Sequence, residues 1–311
     1  MAGNTTKGEM IMGRIEDIDA RLKSRMDAMN KRLSGRMAAL DARLYGRGSA
    51  EEEFPPESLE AWLQPDFDDI RMLFDYVCGS RIVLDNPAYR DALDRVDIVY
   101  LTDPANPKSN TVNAGAGEKK ITLNAGFVRL ARIAGSALAA DHGGGAVFKR
   151  LLGVVFDNPA WADSITMDEA TDLFTALGLR YNAIVADEAM HREAVDRSSA
   201  SILATLAHEA GHIALGHVNA KVDYYKVNLE VARNQERQAD SFMSSVIATV
   251  PFGKHVFEAE MFNDFLNAVA ERKEKSDRGR THPLSIERYN NLLKDHPDLA
   301  EKYGFPQLEP A

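Results

Sequence analysis

The stretch from Ala204 to His217 leaves the fewest choices to the rest of the chain, because it sets His208-Glu209-Ala210-Gly211-His212 inside a run of helix-forming residues. On a helix, side chains four positions apart lie one above the other, so His208 and His212 present two imidazole nitrogens to one point in space. Zinc is the ion that such a pair favours. Glu209 stands beside the first imidazole, off that line, where a carboxylate can take a proton from water held by the metal. The bland alternative is a helix that merely carries two histidines. A third protein donor separates the two readings, because a catalytic zinc takes three protein ligands and keeps a fourth position for water.

The metzincin solution needs Gly at 215 and His at 218, and the sequence has Leu215 and Val218. His217 follows His212 by five residues. On a continued helix that turns it about 140° away, so it is expected near the site or on the surface rather than as a ligand. The remaining source is Asn234-Gln235-Glu236-Arg237-Gln238-Ala239-Asp240, in which Glu236 lies 24 residues beyond His212. Glu236 and Asp240 share a helix face, so Glu236 can bind the metal while Asp240 accepts the outer N–H of a ligating histidine. Small Ala239 permits this second helix to pack closely on the first. Read alone, the segment is equally a solvated face with ion pairs among Arg233, Glu236 and Arg237. Beside His-Glu-x-x-His, the ligand reading is the stronger one. His142, His191, His255 and His296 read as surface or core histidines, and Cys78, on an apolar helix, as core.

Residues 14–46 repeat every eleven positions, with apolar residues second, fifth and ninth (Ile15, Ile18, Leu22; Met26, Met29, Leu33; Met37, Leu40, Leu44) and arginine first and eighth. Eleven residues in three turns nearly match the natural helix, so this stripe runs almost straight with a slight right-handed drift. It needs a cover. The candidates are copies of itself in a homo-oligomeric bundle, an anionic membrane surface reached through residues 11–44, or its own catalytic domain. Residues 1–47 hold ten Lys/Arg and six Asp/Glu, net +4, which leaves −14 on the remainder of a chain whose total is −10. So acidic a body argues against nucleic acid as its ligand. Gly46 to Pro56 has linker composition. The expected division is therefore an arm over 1–47, a linker over 48–65 and a catalytic domain over 66–311.

The polar start, Met1 to Met10, has no apolar core of a signal peptide, and no run approaches the ~20 apolar residues of a membrane span. With a single cysteine in 311 residues, the expectation is a cytoplasmic protein without disulfides. Pro65 to Val77 reads as a helix. Val96–Leu101, Asn110–Ala116 and Lys119–Leu123 read as strands of a small antiparallel sheet. The nearly bare Asn113-Ala114-Gly115-Ala116 is either an ordinary glycine hairpin or an edge that takes a peptide as an added strand. Beyond Ala125 the chain reads as helix over 125–140, 146–156, 168–177 and 181–217. The fold class is then α+β, mainly helical and zincin-like, with a small antiparallel or mixed sheet after a long amphipathic helix.

Together, His208-Glu209-Ala-Gly-His212 and Glu236-Arg-Gln-Ala239-Asp240 resemble the gluzincin metallopeptidases of the HtpX and CAAX prenyl-protease (Ste24-like) family. Thr281-His282-Pro283-Leu-Ser-Ile-Glu-Arg288 is similar to that family's Thr-His-Pro-Pro-x-x-x-Arg motif, and Asn113 to Ala116 with the segment up to Phe127 is similar to its edge strand and following helix. The likeness spans about residues 95–295. It departs at Leu284, where the family usually has a second proline, and at Gly115, where it often has phenylalanine. The resemblance implies a soluble minimal zinc endopeptidase with one zinc ion per chain and a protein or peptide substrate. It also implies that His282 and Arg288 meet the substrate carbonyl and the oxyanion, and that Asn113, Ala114, Gly115 and Ala116 bind the peptide backbone. Two alternatives stand beside it. One is a regulatory metallopeptidase similar to the ImmA/IrrE type, to which Ala239-Asp240-Ser-Phe242 is similar. The other is a non-catalytic zinc-binding protein assembled through its repeats.

Overall fold

The computed structural model describes residues 58–140, 145–218, 229–249, 255–273 and 285–308. The chain divides into two compact units, Met1–Pro55 and Pro56–Ala311. The arm expected over 1–47, with its proposed partners, lies outside the described residues, as do His142 and His282. The expected linker over 48–65 is cut short, because helix α1 (Leu59–Leu63) already buries Trp62 and Leu63 in the core.

Four short helices open the body: α1, α2 (Phe67–Cys78), α3 (Arg81–Leu84) and α4 (Pro87–Leu93). In α2, Asp68 and Asp69 sit in the first turn, where carboxylates favour the positive end of the helix. Its Ile70, Leu73, Phe74 and Val77 repeat at helical spacing and are all buried. Cys78 closes α2 partly buried, and burial pushes its thiol up to about 12, so it stays protonated and inert.

Strands β1 (Asp97–Leu101), β2 (Ala114–Gly117) and β3 (Lys120–Asn124) form one sheet in the order β1-β3-β2. β1 runs parallel to β3, and β2 antiparallel to it, with Ala114 opposite Leu123 and Gly115 opposite Thr122. The sheet is thus mixed rather than purely antiparallel. The expected strand over Asn110–Ala116 begins later, because Pro107–Asn110 makes a 3-10 turn and Thr111 bridges to Ser164. Asn110 O accepts from Ile165 N–H at 2.8 Å, and Asp163 O from Val112 N–H at 2.8 Å. These bonds hold the connection outside the sheet, so β2 takes the edge and the returning β3 fills the middle.

The rest is helical: α5 (Ala125–Ala140), α6 (Ala146–Asp157), α7 (Ala160–Asp163), α8 (Met167–Ala176), α9 (Tyr181–Ala186), α10 (Glu188–Ala214), α11 (Leu229–Ile247), α12 (Val256–Lys273), α13 (Ser285–Asp295) and α14 (Pro297–Tyr303). α8 starts with a reciprocal capping box between Thr166 and Glu169. The single helix expected over 181–217 is broken at Asp187. There the carboxylate accepts the N–H groups of Ala189 and Met190 at 3.0 Å and starts a new helix.

α10 is the axis of the body. α5, α11, α12, α2 and β2 all pack against it. α5 is buried along nearly its whole length, so its two arginines need internal partners. Arg129 donates to Asn110 Oδ1 at 2.9 Å, to Ile165 O at 3.0 Å and to Gln64 Oε1. Arg132 lies 4.5 Å above the Trp62 ring and donates to Ser198 Oγ at 3.2 Å. Around them Leu130, Ile133, Leu203 and Leu206 are fully buried. Each contributes roughly 1.5–3 kcal/mol. Among the described residues no helix is long and apolar enough to cross a membrane.

Candidate metal centre

The centre forms where α10 and α11 cross. Both helices carry a small residue there. A Cβ added at Gly211 would lie 3.1 Å from the Ala239 Cα, 3.2 Å from the Ala239 carbonyl oxygen and 3.2 Å from the Phe242 ring. Ala239, small enough to permit this approach, is fully buried. This close approach brings the Glu236 and Asp240 side chains of α11 to the face of α10 that carries His208 and His212.

The Nε2 atoms of His208 and His212 are 3.1 Å apart. Glu236 stands over them, with Oε2 3.3 Å from His208 Nε2 and Oε1 3.5 Å from His212 Nε2. One donor atom from each of the three residues lies within 4.8 Å of the others. Ligand atoms about 2.0–2.2 Å from a tetrahedral zinc would stand about 3.3–3.5 Å from one another. The observed separations fit that donor set. Two imidazole lone pairs 3.1 Å apart repel unless a proton or a cation lies between them.

The second layer of contacts orients the first. His208 Nδ1 donates to Asp240 Oδ1 at 2.8 Å, which leaves Nε2 as the inward nitrogen. Burial alone would lower the His208 imidazole. The hydrogen bonds to Asp240 and Glu236 outweigh it and lift His208 to about 10, the mark of a pocket that draws positive charge. Glu209, half-buried, is near enough to act on the charge of His208, and it is not one of the three converging donors.

Arg288 reaches the same cluster from α13. Its guanidinium lies 3.0 Å from Asp240 Oδ1, 3.5 Å from Glu236 Oε2 and 3.4 Å from Asp264 Oδ1. Burial alone would lower the group, and Asp264, Asp240 and Glu236 outweigh it and raise it above the ordinary arginine range. Its nearest partners are thus the carboxylates behind the donors. Asp264, on α12, is buried, and nothing in the sequence singles it out. Burial raises it to about 6, and raises its neighbour Glu260 to about 7.

His217 departs from the expectation of a continued helix. α10 ends at Ala214, and the chain turns left-handed at Gly216 (φ 76°). Gly216 N–H then donates to Ile213 O at 3.0 Å and His217 N–H to His212 O at 2.8 Å. The turn lays the His217 ring back on His212, Nδ1 to Nδ1 at 3.1 Å, with Gln238 Oε1 3.1 Å from His217 Nε2. His217 is therefore beside the site, as expected, though for a different reason. Burial holds its imidazole below the usual range. The other described histidines lie elsewhere. His191 is buried against Trp62, His255 faces Glu258, and His296 stacks on Phe257.

β2 runs beside α10 at the edge of the sheet. Asn113 Oδ1 accepts from the Ala114 N–H at 2.8 Å, and Ala114 and Ala116 pack on the core. A Cβ added at Gly115 would meet nothing within 4 Å. Compared with family profiles, with curated proteins and with solved structures, the chain has no match.

Proposed function

We propose that this chain is a zinc-dependent endopeptidase. The observation that carries the reading is the convergence of His208, His212 and Glu236 on one point, with Glu209 next to the first donor. The donor set is one that zinc favours. Bound there, zinc lowers the pKa of water toward ~7 and polarises a peptide carbonyl.

The chain's own residues do the rest. Glu209 takes a proton from the attacking water as the C–O bond forms, then gives it to the amine nitrogen as the C–N bond breaks. Asp240 fixes the tautomer of His208, and Arg288 ties Glu236 and Asp240 together. The β2 edge, Asn113 to Ala116, takes the substrate backbone as an added strand. Gly115 keeps that approach open. The arrangement supports the resemblance to the HtpX and CAAX prenyl-protease family, in which His282 would meet the carbonyl oxygen. In this chain Arg288 is engaged by three carboxylates, so its first role is to hold the ligands.

The test combines metal analysis with cleavage of casein or a quenched peptide. Wild-type protein is expected to bind one zinc and to cut, and a chelator to stop it. Glu209→Gln is expected to keep the zinc and lose turnover. Full activity in that variant would reject the assignment.

A further inference from the structure

We infer that His217 and Gln238 are positioning residues that form a hydrogen-bonded relay and fix the tautomer in which His212 offers Nε2 to the metal. The inference rests on the zinc reading of the site. A buried imidazole ligand must keep its proton on the outer nitrogen, and something must accept it there. For His208 that acceptor is Asp240, an anion. At His212 the group facing Nδ1 is another imidazole, that of His217, 3.1 Å away.

A neutral imidazole has one N–H and one lone pair, so its two contacts must differ in direction. Gln238 decides which is which. When its Oε1 accepts the His217 Nε2 proton, His217 Nδ1 is left with a lone pair. That lone pair accepts from His212 Nδ1–H, and His212 Nε2 is bare toward the metal. The opposite amide orientation would put both Nδ1 protons face to face or move the His212 proton to Nε2, 3.1 Å from His208 Nε2. The backbone builds the relay. The left-handed Gly216 stacks the residue that follows it over the third-from-last helical residue, a place usually filled by a hydrophobic contact. Here the two stacked residues are His217 and His212. Gln238 comes from α11 two residues after Glu236, so the same helix supplies the third ligand and polarises the second one's support.

The test measures zinc affinity of the full chain by competition with a chromogenic chelator. Gln238→Leu and His217→Ala are each expected to weaken zinc about 10- to 100-fold, the usual cost of losing such an outer partner. Gln238→Glu offers only acceptor oxygens and is expected to keep wild-type affinity. Gln238 is exposed, so its variants leave the fold intact. Equal weakening by Leu and Glu would mean that the contact only packs, and wild-type affinity in both Gln238→Leu and His217→Ala would mean that it does not act. Either result overturns the relay. His208→Ala separates the two levels. If it abolishes zinc binding while the relay variants bind normally, the relay alone falls. If wild-type protein binds no zinc, both readings fall.

Discussion

Two buried clusters of charge sit on α10, three helical turns apart on one face. Around Arg197, the charged groups are paired with one another. Its guanidinium meets Glu193 at 2.7 Å and Glu258, while the other Glu258 oxygen accepts from Tyr303 Oη at 2.6 Å and His255 stands 3.5 Å away. Around His208, donor atoms from three residues converge within 4.8 Å of one another. Both clusters are at least partly buried and both contain histidine, arginine and carboxylates. What distinguishes them is closure: the first pairs its charges internally, and the second gathers donors that could hold a metal ion. Burial of ionisable groups is thus a poor guide to chemistry on its own, and the direction of the donor atoms is a good one.

The contrast can be broken at either end. The largest effect is expected at the open cluster, where Glu209→Gln should lower peptide cleavage about 10²- to 10⁴-fold with unchanged zinc content, measured by steady-state kinetics. At the closed cluster Arg197→Ala should remove about 3–5 kcal/mol of stability, because Glu258 is left buried without its partner. Urea unfolding measures this, and zinc affinity should stay put. If zinc affinity falls in step, the clusters are one unit and the contrast is wrong.

The closed cluster also has its own pH signature. Burial would raise the Glu258 carboxyl, but His255, Arg197 and Tyr303 outweigh it and hold it below its usual range. A depressed carboxyl contributes stability that is fully present above its unfolded value and is lost as pH falls through the folded one. The wild-type protein should therefore lose stability below about pH 4.5 more steeply than Glu258→Gln, which starts lower at neutral pH. Parallel acid titrations of the two by circular dichroism would remove this cluster from the explanation.

Smaller effects are expected where backbone geometry sets the open cluster. Ala239→Leu should cost about 1–3 kcal/mol by overpacking the crossing at Gly211 and should weaken zinc by moving Glu236. Gly216→Ala meets no neighbour, so only the left-handed backbone resists it. A loss of about 1 kcal/mol in thermal stability, with a measurable fall in zinc affinity, is expected. Unchanged affinity in both would show that the donors find one another without the helix crossing and the turn.

Much of this site was legible because its chemistry follows helical spacing. His208 with His212, and Glu236 with Asp240, are i, i+4 pairs, and such pairs share a face wherever the helix lies. The small pair Gly211 and Ala239 was half legible: Ala239 marked a close approach, and only the helix crossing shows Gly211 as its partner. The sheet order was not legible, since three strands in sequence fit an antiparallel meander as well as the mixed order observed. Nor was the break at Asp187, because a run of good helix formers masks a cap within it.

What the sequence determined by itself was the local geometry: two imidazoles on one face, a carboxylate pair on another, a small-residue strand. These depend only on the repeat of a helix or a strand, which neighbouring residues fix. Tertiary structure decided which groups those faces meet. Asp264 joins Arg288 from α12, Gln238 reaches His217 from α11, and His217 returns to His212 because one glycine ends the helix left-handed. Such contacts join segments far apart in the chain or hang on a single backbone torsion, and no periodicity in the sequence records either.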